Sequence, residues 1–224
     1  MKNSDKLKRY SMFIAGVIFS ALGISLITKA GLGTSPITSL AFVLTFIFPH
    51  SLGEFTMLVN TVMFLIQAAL LGKAFGKIQL LQLPAALLFS ACIDGWMYIL
   101  GFWKTGSYVG QVLMLLLGCV FLGLGIAFEV IPNVLILPGE GLVRVIAGLT
   151  GWRFGLVKTG FDMSILASAV GVSLFFTGHV LGIREGTVLA ALIVGSISHF
   201  FIEKVSNVLE GWIPDYSDAG DACP

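Results

Sequence analysis

Gly31-Leu32-Gly33-Thr34-Ser35-Pro36 interrupts a long apolar stretch, and Leu137-Pro138-Gly139-Glu140-Gly141 interrupts a second one. Pro138 follows Pro36 by 102 residues, and Gly125 follows Gly23 by the same 102. At that fixed offset nine of the 45 positions from 16 to 60 are identical without a gap, among them Gly16/Gly118, Phe19/Phe121, Leu40/Leu142, Val43/Val145 and Gly53/Gly155. Composition bias alone gives roughly a tenth, so the match reads as an internal duplication. Duplicated halves, each broken by Gly and Pro inside apolar sequence, are the sequence pattern of a membrane transport site.

Composition agrees with a membrane setting. The 224 residues are 57% apolar and 11% charged, with mean hydropathy +0.98, against about 25% charged residues in a soluble domain. Long apolar runs replace amphipathic periodicity, so lipid is the solvent for this surface. A net charge of +1 gives no reason to expect a nucleic-acid partner. Cys92, Cys119 and Cys223 show no CxxC or zinc spacing, and His50, His179 and His199 show no HxxxH or HExxH spacing. No cofactor and no metal are therefore expected. GxSxG and P-loop motifs are absent, which argues against an enzyme. Tyr10 to Thr28 follows Lys2, Lys6, Lys8 and Arg9, the layout of a signal peptide. Its repeat mate, Gly110 to Val130, is internal and cannot be cleaved, so the first run is read as a span.

Six runs are long enough to cross about 30 Å of hydrocarbon as helices: 10–28, 53–72, 80–100, 110–130, 154–177 and 184–203. Two further apolar segments are too short. Residues 34–48 would extend about 22 Å and residues 138–150 about 20 Å. Each opens on proline, whose missing N–H costs nothing in the first turn, with Ser35 as N-cap of the first. Both are read as half-helices that enter the membrane and return. With a cytoplasmic N-terminus, re-entry puts Lys2, Lys6, Lys8, Arg9, Lys73, Lys77, Arg144, Arg153 and Lys204 inside and Lys29, Lys104 and Arg184 outside, 9 against 3. That is a positive-inside bias, and it weakens if both short segments span. Three spans per half make the halves antiparallel. The expected fold is all-α and polytopic: six transmembrane helices, two re-entrant half-helices and an inverted 3+3 repeat. Its divisions are a basic cytoplasmic N-terminus (1–9), a first membrane repeat (10–108), a second (109–205) and an acidic cytoplasmic tail (206–224). Tryptophans and tyrosines near the span ends read as an interfacial belt.

The candidate site residues follow from the breaks. A half-helix that starts within the membrane offers free backbone N–H groups and the positive end of its dipole. Thr34, Ser35 and Pro36 mark one start, and Gly139 and Glu140 mark the other. Ionisable groups at membrane depth are expensive and so are functional candidates. Asp162 is the repeat mate of Asn60. Lys158 lies one turn before Asp162 and can pair with it. Asp94 aligns with Ser198 at an offset of 104 and is placed between a site role and the membrane interface. Arg144, four residues after Glu140, either pairs with it or clamps an anion. Glu129 and Lys29 read as markers of the membrane boundary.

The Gly31–Pro36 stretch after a first span resembles the YczE/YitT-like group of bacterial integral membrane proteins. Leu137-Pro138-Gly139-Glu140-Gly141-Leu142 and Arg184-Glu185-Gly186-Thr187 at the start of the last span fit the same likeness. The resemblance implies a bacterial inner-membrane protein and transfers no catalytic residue. The leading expectation is a secondary transporter of a small polar or anionic solute, working by alternating access with proton coupling as an option. A solute-binding subunit of an ATP-driven importer, a lipid-carrier flippase and a non-transporting assembly factor are the alternatives. The expected partners are the bilayer and a small-molecule or ion substrate, with a homodimer left open.

Overall fold

The computed structural model describes residues 3–103 and 106–209. Lys2, Lys104 and the acidic tail beyond residue 209 lie outside the described residues. Helices are the regular structure of the described residues, which hold no strands. The helices are α1 (Asn3–Lys29), α2 (Ser39–Ile47), α3 (Leu52–Leu71), α4 (Gln82–Ile99), α5 (Tyr108–Val130), α6 (Pro138–Thr150), α7 (Phe154–Thr177) and α8 (Glu185–Leu209). Six stretches are long and apolar enough to cross a membrane, and all six coincide with the runs read from the sequence. The chain is thus a multi-pass membrane protein.

Local sequence sets the helix ends. Ser51 and Glu54 form a reciprocal capping box at the start of α3. Ser107 accepts from the Gly110 N–H at the start of α5. Gly151 and Gly178, both at φ +71, end α6 and α7 in left-handed caps. Three boundaries move from those expected. The first short helix does not begin at residue 34: Ser35 is extended, Pro36–Thr38 make a single 3₁₀ turn, and α2 follows. Ser35 makes no capping bond, because its hydroxyl is engaged by Thr38 Oγ1 at 2.7 Å. α1 begins at Asn3, inside the segment read as a basic N-terminus, and α8 continues four residues past 205, to Leu209.

The two halves repeat one order, long helix, short helix, long helix, long helix. Packing exchanges the halves as well. α1 packs on α5 at the centre; α1–α4 is matched by α5–α8, α3–α6 by α7–α2, and α2–α3 by α6–α7. Small residues allow the central contact. A Cβ on Gly16 would meet the Glu129 backbone N at 2.8 Å, and one on Gly118 would meet the Gly23 carbonyl at 2.8 Å. Without a hydrophobic driving force between helices in lipid, such close backbone approach is what holds them. Val17, Ala21 and Ile27 of α1 are fully buried there.

One pair breaks the correspondence. α3 and α4 pack along their length, whereas α7 and α8 barely touch among the described residues. The apolar window of α1 is 67% buried, against 11% for α7 and 6% for α8.

Candidate functional site

A cavity of about 430 Å³ occupies the space left by that missing contact. Its floor is the two breaks: Ser35, Pro36 and Thr38 from the first, and Leu137, Gly139 and Glu140 from the second. α3 contributes Thr56, Asn60 and Met63, and α5 contributes Leu122, Ile126 and Glu129. α7 and α8 form the remaining sides with Gly155, Lys158 and Asp162, and with Val194, Ser198 and His199. Clefts of this size hold ligands of up to drug size.

The structure brings most of the sequence-derived candidates together. Ser35, Pro36, Asn60, Gly139, Glu140, Arg144, Lys158 and Asp162 all line this one cavity. Lys158 Nζ donates to Asp162 Oδ1 at 3.2 Å, the pairing their spacing allows. Asn60 donates back to the Thr56 carbonyl at 2.9 Å, leaving its carboxamide oxygen available. Glu140 and Arg144 form no ion pair with each other, since none of the three among the described residues includes either.

Two candidates lie elsewhere. Thr34 is fully buried in a hydroxyl chain: it meets Thr28 Oγ1 at 2.9 Å and Thr38 Oγ1 at 3.0 Å. Its backbone N–H donates to Thr187 Oγ1 at 3.1 Å. Asp94 does not line the cavity either. Its carboxylate accepts the Ser51 hydroxyl at 2.6 Å and the Gly53 N–H at 2.8 Å, so it fastens α4 to the start of α3.

Glu129 has a place that sequence reasoning did not give it. It stands one residue before the end of its span, yet it is only 4% exposed, lines the cavity and accepts the Ser20 hydroxyl at 2.6 Å. Glu140 lines the same cavity. The available signal was Ser20, which shares its close-packed helix face with Gly16, opposite the C-terminal part of α5.

The two breaks have different surroundings. At the first, the start of α8 is bonded to the chain: Gly186 N–H donates to the Leu32 carbonyl at 2.8 Å and Arg184 to the Gly31 carbonyl at 3.2 Å. Gly33 holds φ +121, and a Cβ there would collide with Thr187, so only glycine fits. At the second, a smaller cavity of about 260 Å³ separates Val134, Leu135 and Ile136 from the start of α4. Gln67, Gln79 and Gln82 face it with buried carboxamide oxygens that have no partner. Arg144 borders both cavities. Arg9 Nη1 donates to the Pro132 carbonyl at 3.3 Å just before this break, so the two breaks differ in the polar groups beside them: bonded hydroxyls and carbonyls at the first, unpartnered amide oxygens at the second.

Comparison with known proteins agrees with this architecture. The chain is 28% identical over 217 residues to the uncharacterized membrane protein YczE of Bacillus subtilis strain 168, covering 96% of this chain and 95% of that one. It is 27% identical over 201 residues to the uncharacterized protein YyaS of the same organism, covering 88% and 94%. No solved structure matches it. A family model of unknown function, DUF6198, matches residues 7–203. A match over nearly the whole membrane region, together with the six-span fold, assigns the chain to the DUF6198 family of proteins of unknown function.

Proposed function

We propose that this protein is a secondary transporter of the bacterial inner membrane, a carrier rather than an enzyme, that moves a small polar or anionic solute by alternating access. Its halves form an inverted repeat, and α2 and α6 are re-entrant. The N-terminus lies in the cytoplasm, as the distribution of lysine and arginine favours. The observation that carries the reading is one cavity floored by both breaks and lined by Asn60, Glu140, Arg144, Lys158 and Asp162. The exchange of packing partners between halves supports the repeat. α2 has 9 residues and α6 has 13, about 14 and 20 Å of helix, short of a 30 Å hydrocarbon core.

On this reading the conformation is open toward the cytoplasm. The first break, bonded to the start of α8, closes the outer route, and the second break, beside the unpartnered glutamine oxygens, lies on the inner one. Transport then exchanges the two states, each break being bonded in turn. Glu129, Glu140 and Asp162 are the carboxyl groups on the cavity wall and so the groups able to carry a coupling proton. An assembly factor would have no use for a cavity there, yet Pro36 and both neighbours of Pro138 line it.

Counterflow in proteoliposomes, screened over small organic and inorganic anions and polar metabolites, tests the proposal. Asp162→Asn, Glu140→Gln and Arg144→Ala should each lower uptake of the responding solute at least tenfold while leaving the folded fraction unchanged. A solute carried equally well by all three variants would contradict the assignment.

A further inference from the structure

The cavity has a gap in its side wall. Its side walls are α7 and α8, which barely touch, whereas the equivalent helices α3 and α4 are closed on each other. Gly155 and Gly195 line it, and a Cβ added to either would meet nothing within 4 Å. Gly53, the repeat mate of Gly155, is blocked by the Ser90 carbonyl and the Asp94 carboxylate. The wall chemistry is divided too. Arg144 and Glu140 sit on α6 with no ion pair, while Ile126, Val194 and Ile202 give hydrocarbon walls toward the gap. A compact anion would use only the polar part of this lining. A head group with a chain uses both parts.

We propose that the substrate is a single-chain amphiphile that enters sideways between α7 and α8, its anionic head at Arg144 and its hydrocarbon chain lying through the gap. This rests on the carrier reading and narrows its substrate class. The recognised chemistry is an anionic head group carried on one alkyl chain.

The test uses the full chain in lipid nanodiscs with a diazirine-bearing hexadecyl phosphate, and mass spectrometry maps the photoadducts. Adducts should concentrate on residues 155–162 and 190–202. Excess unlabelled hexadecyl phosphate should remove them, and inorganic phosphate at the same concentration should not. Gly155→Trp and Gly195→Leu, each filling open space, should both reduce labelling at least fivefold. Adducts spread evenly over α3, α4, α7 and α8 and insensitive to both substitutions would overturn the proposal. So would equal competition by inorganic phosphate, or a Gly195→Cys disulfide between two copies, which would identify a second copy as the occupant of the gap. The carrier reading has its own readout: Asn60→Cys, in a background with the native cysteines replaced, should react with a membrane-impermeant maleimide. Labelling of Asn60→Cys with unselective adducts removes the amphiphile and leaves a carrier of small solutes. Selective adducts with Asn60→Cys protected keep the lateral slot and remove the aqueous cavity.

Discussion

Gly53 and Gly155 occupy equivalent places in the two halves and have opposite surroundings. Gly53 is jammed against α4, with its N–H bonded to Asp94 at 2.8 Å, whereas Gly155 faces the open cavity. The difference traces to the partner helix. α4 carries Asp94, long enough and charged enough to hold the start of α3, while α8 has Ser198 at the aligned position. Ser198 bonds only within its own helix, to the Gly195 carbonyl at 2.9 Å. Asp94 ties the closed pair together, and the open pair, which borders the cavity, has no equivalent tie.

The sharpest way to break this comparison is to add the same methyl group to both glycines. Gly53→Ala should destabilise the protein by about 3 kcal/mol, because the Cβ meets a backbone carbonyl that cannot move aside. Gly155→Ala should be neutral or stabilising by up to about 1 kcal/mol, since alanine is the better helix former. Thermal unfolding of both variants in the same detergent measures the difference, and equal effects would show the halves to be alike.

Much of the fold was legible in the sequence because lipid simplifies the code. Apolar runs of sufficient length became the six long helices, and the two proline-led segments became α2 and α6. The cavity floor was legible through the same breaks, and eight of the ten candidate residues meet in it. What was not legible depends on pairing across helices. Asp94 and Ser198 differ in reach, and only the packed structure reveals that one grips α3 and the other grips nothing outside its helix. Glu129 read as a boundary residue because Ile131-Pro132-Asn133 follows it. Its burial depends on Gly16 and Ser20 of α1, more than a hundred positions away. Ser35 looked like an N-cap, but Thr38 competed for its hydroxyl.

A second comparison sets Asp94 against Ser198 directly. Asp94→Ala should cost about 2 kcal/mol, from the loss of two hydrogen bonds to a carboxylate, and Ser198→Ala should change stability by less than about 0.5 kcal/mol. If Asp94→Ala is equally silent, the closed state of α3 and α4 has another cause. The breaks offer the third contrast, with the smallest effect. Thr187→Ala removes the bond to the Thr34 N–H and should cost about 1 kcal/mol. Gln82→Leu removes an unpartnered buried amide and should be neutral or slightly stabilising. Destabilisation by Gln82→Leu comparable to that by Thr187→Ala would mean that the second break is held as firmly as the first.

The proposed carrier requires that the two short helices enter the membrane from opposite faces and return. Cysteines at His50 and Trp152, just past the ends of α2 and α6, test this directly in intact cells with a membrane-impermeant maleimide, in a background without the native thiols. Re-entry predicts that His50→Cys is labelled from outside and that Trp152→Cys is labelled only after permeabilisation. If both are reachable only after permeabilisation, α2 and α6 cross the bilayer, the halves run parallel, and the account is contradicted.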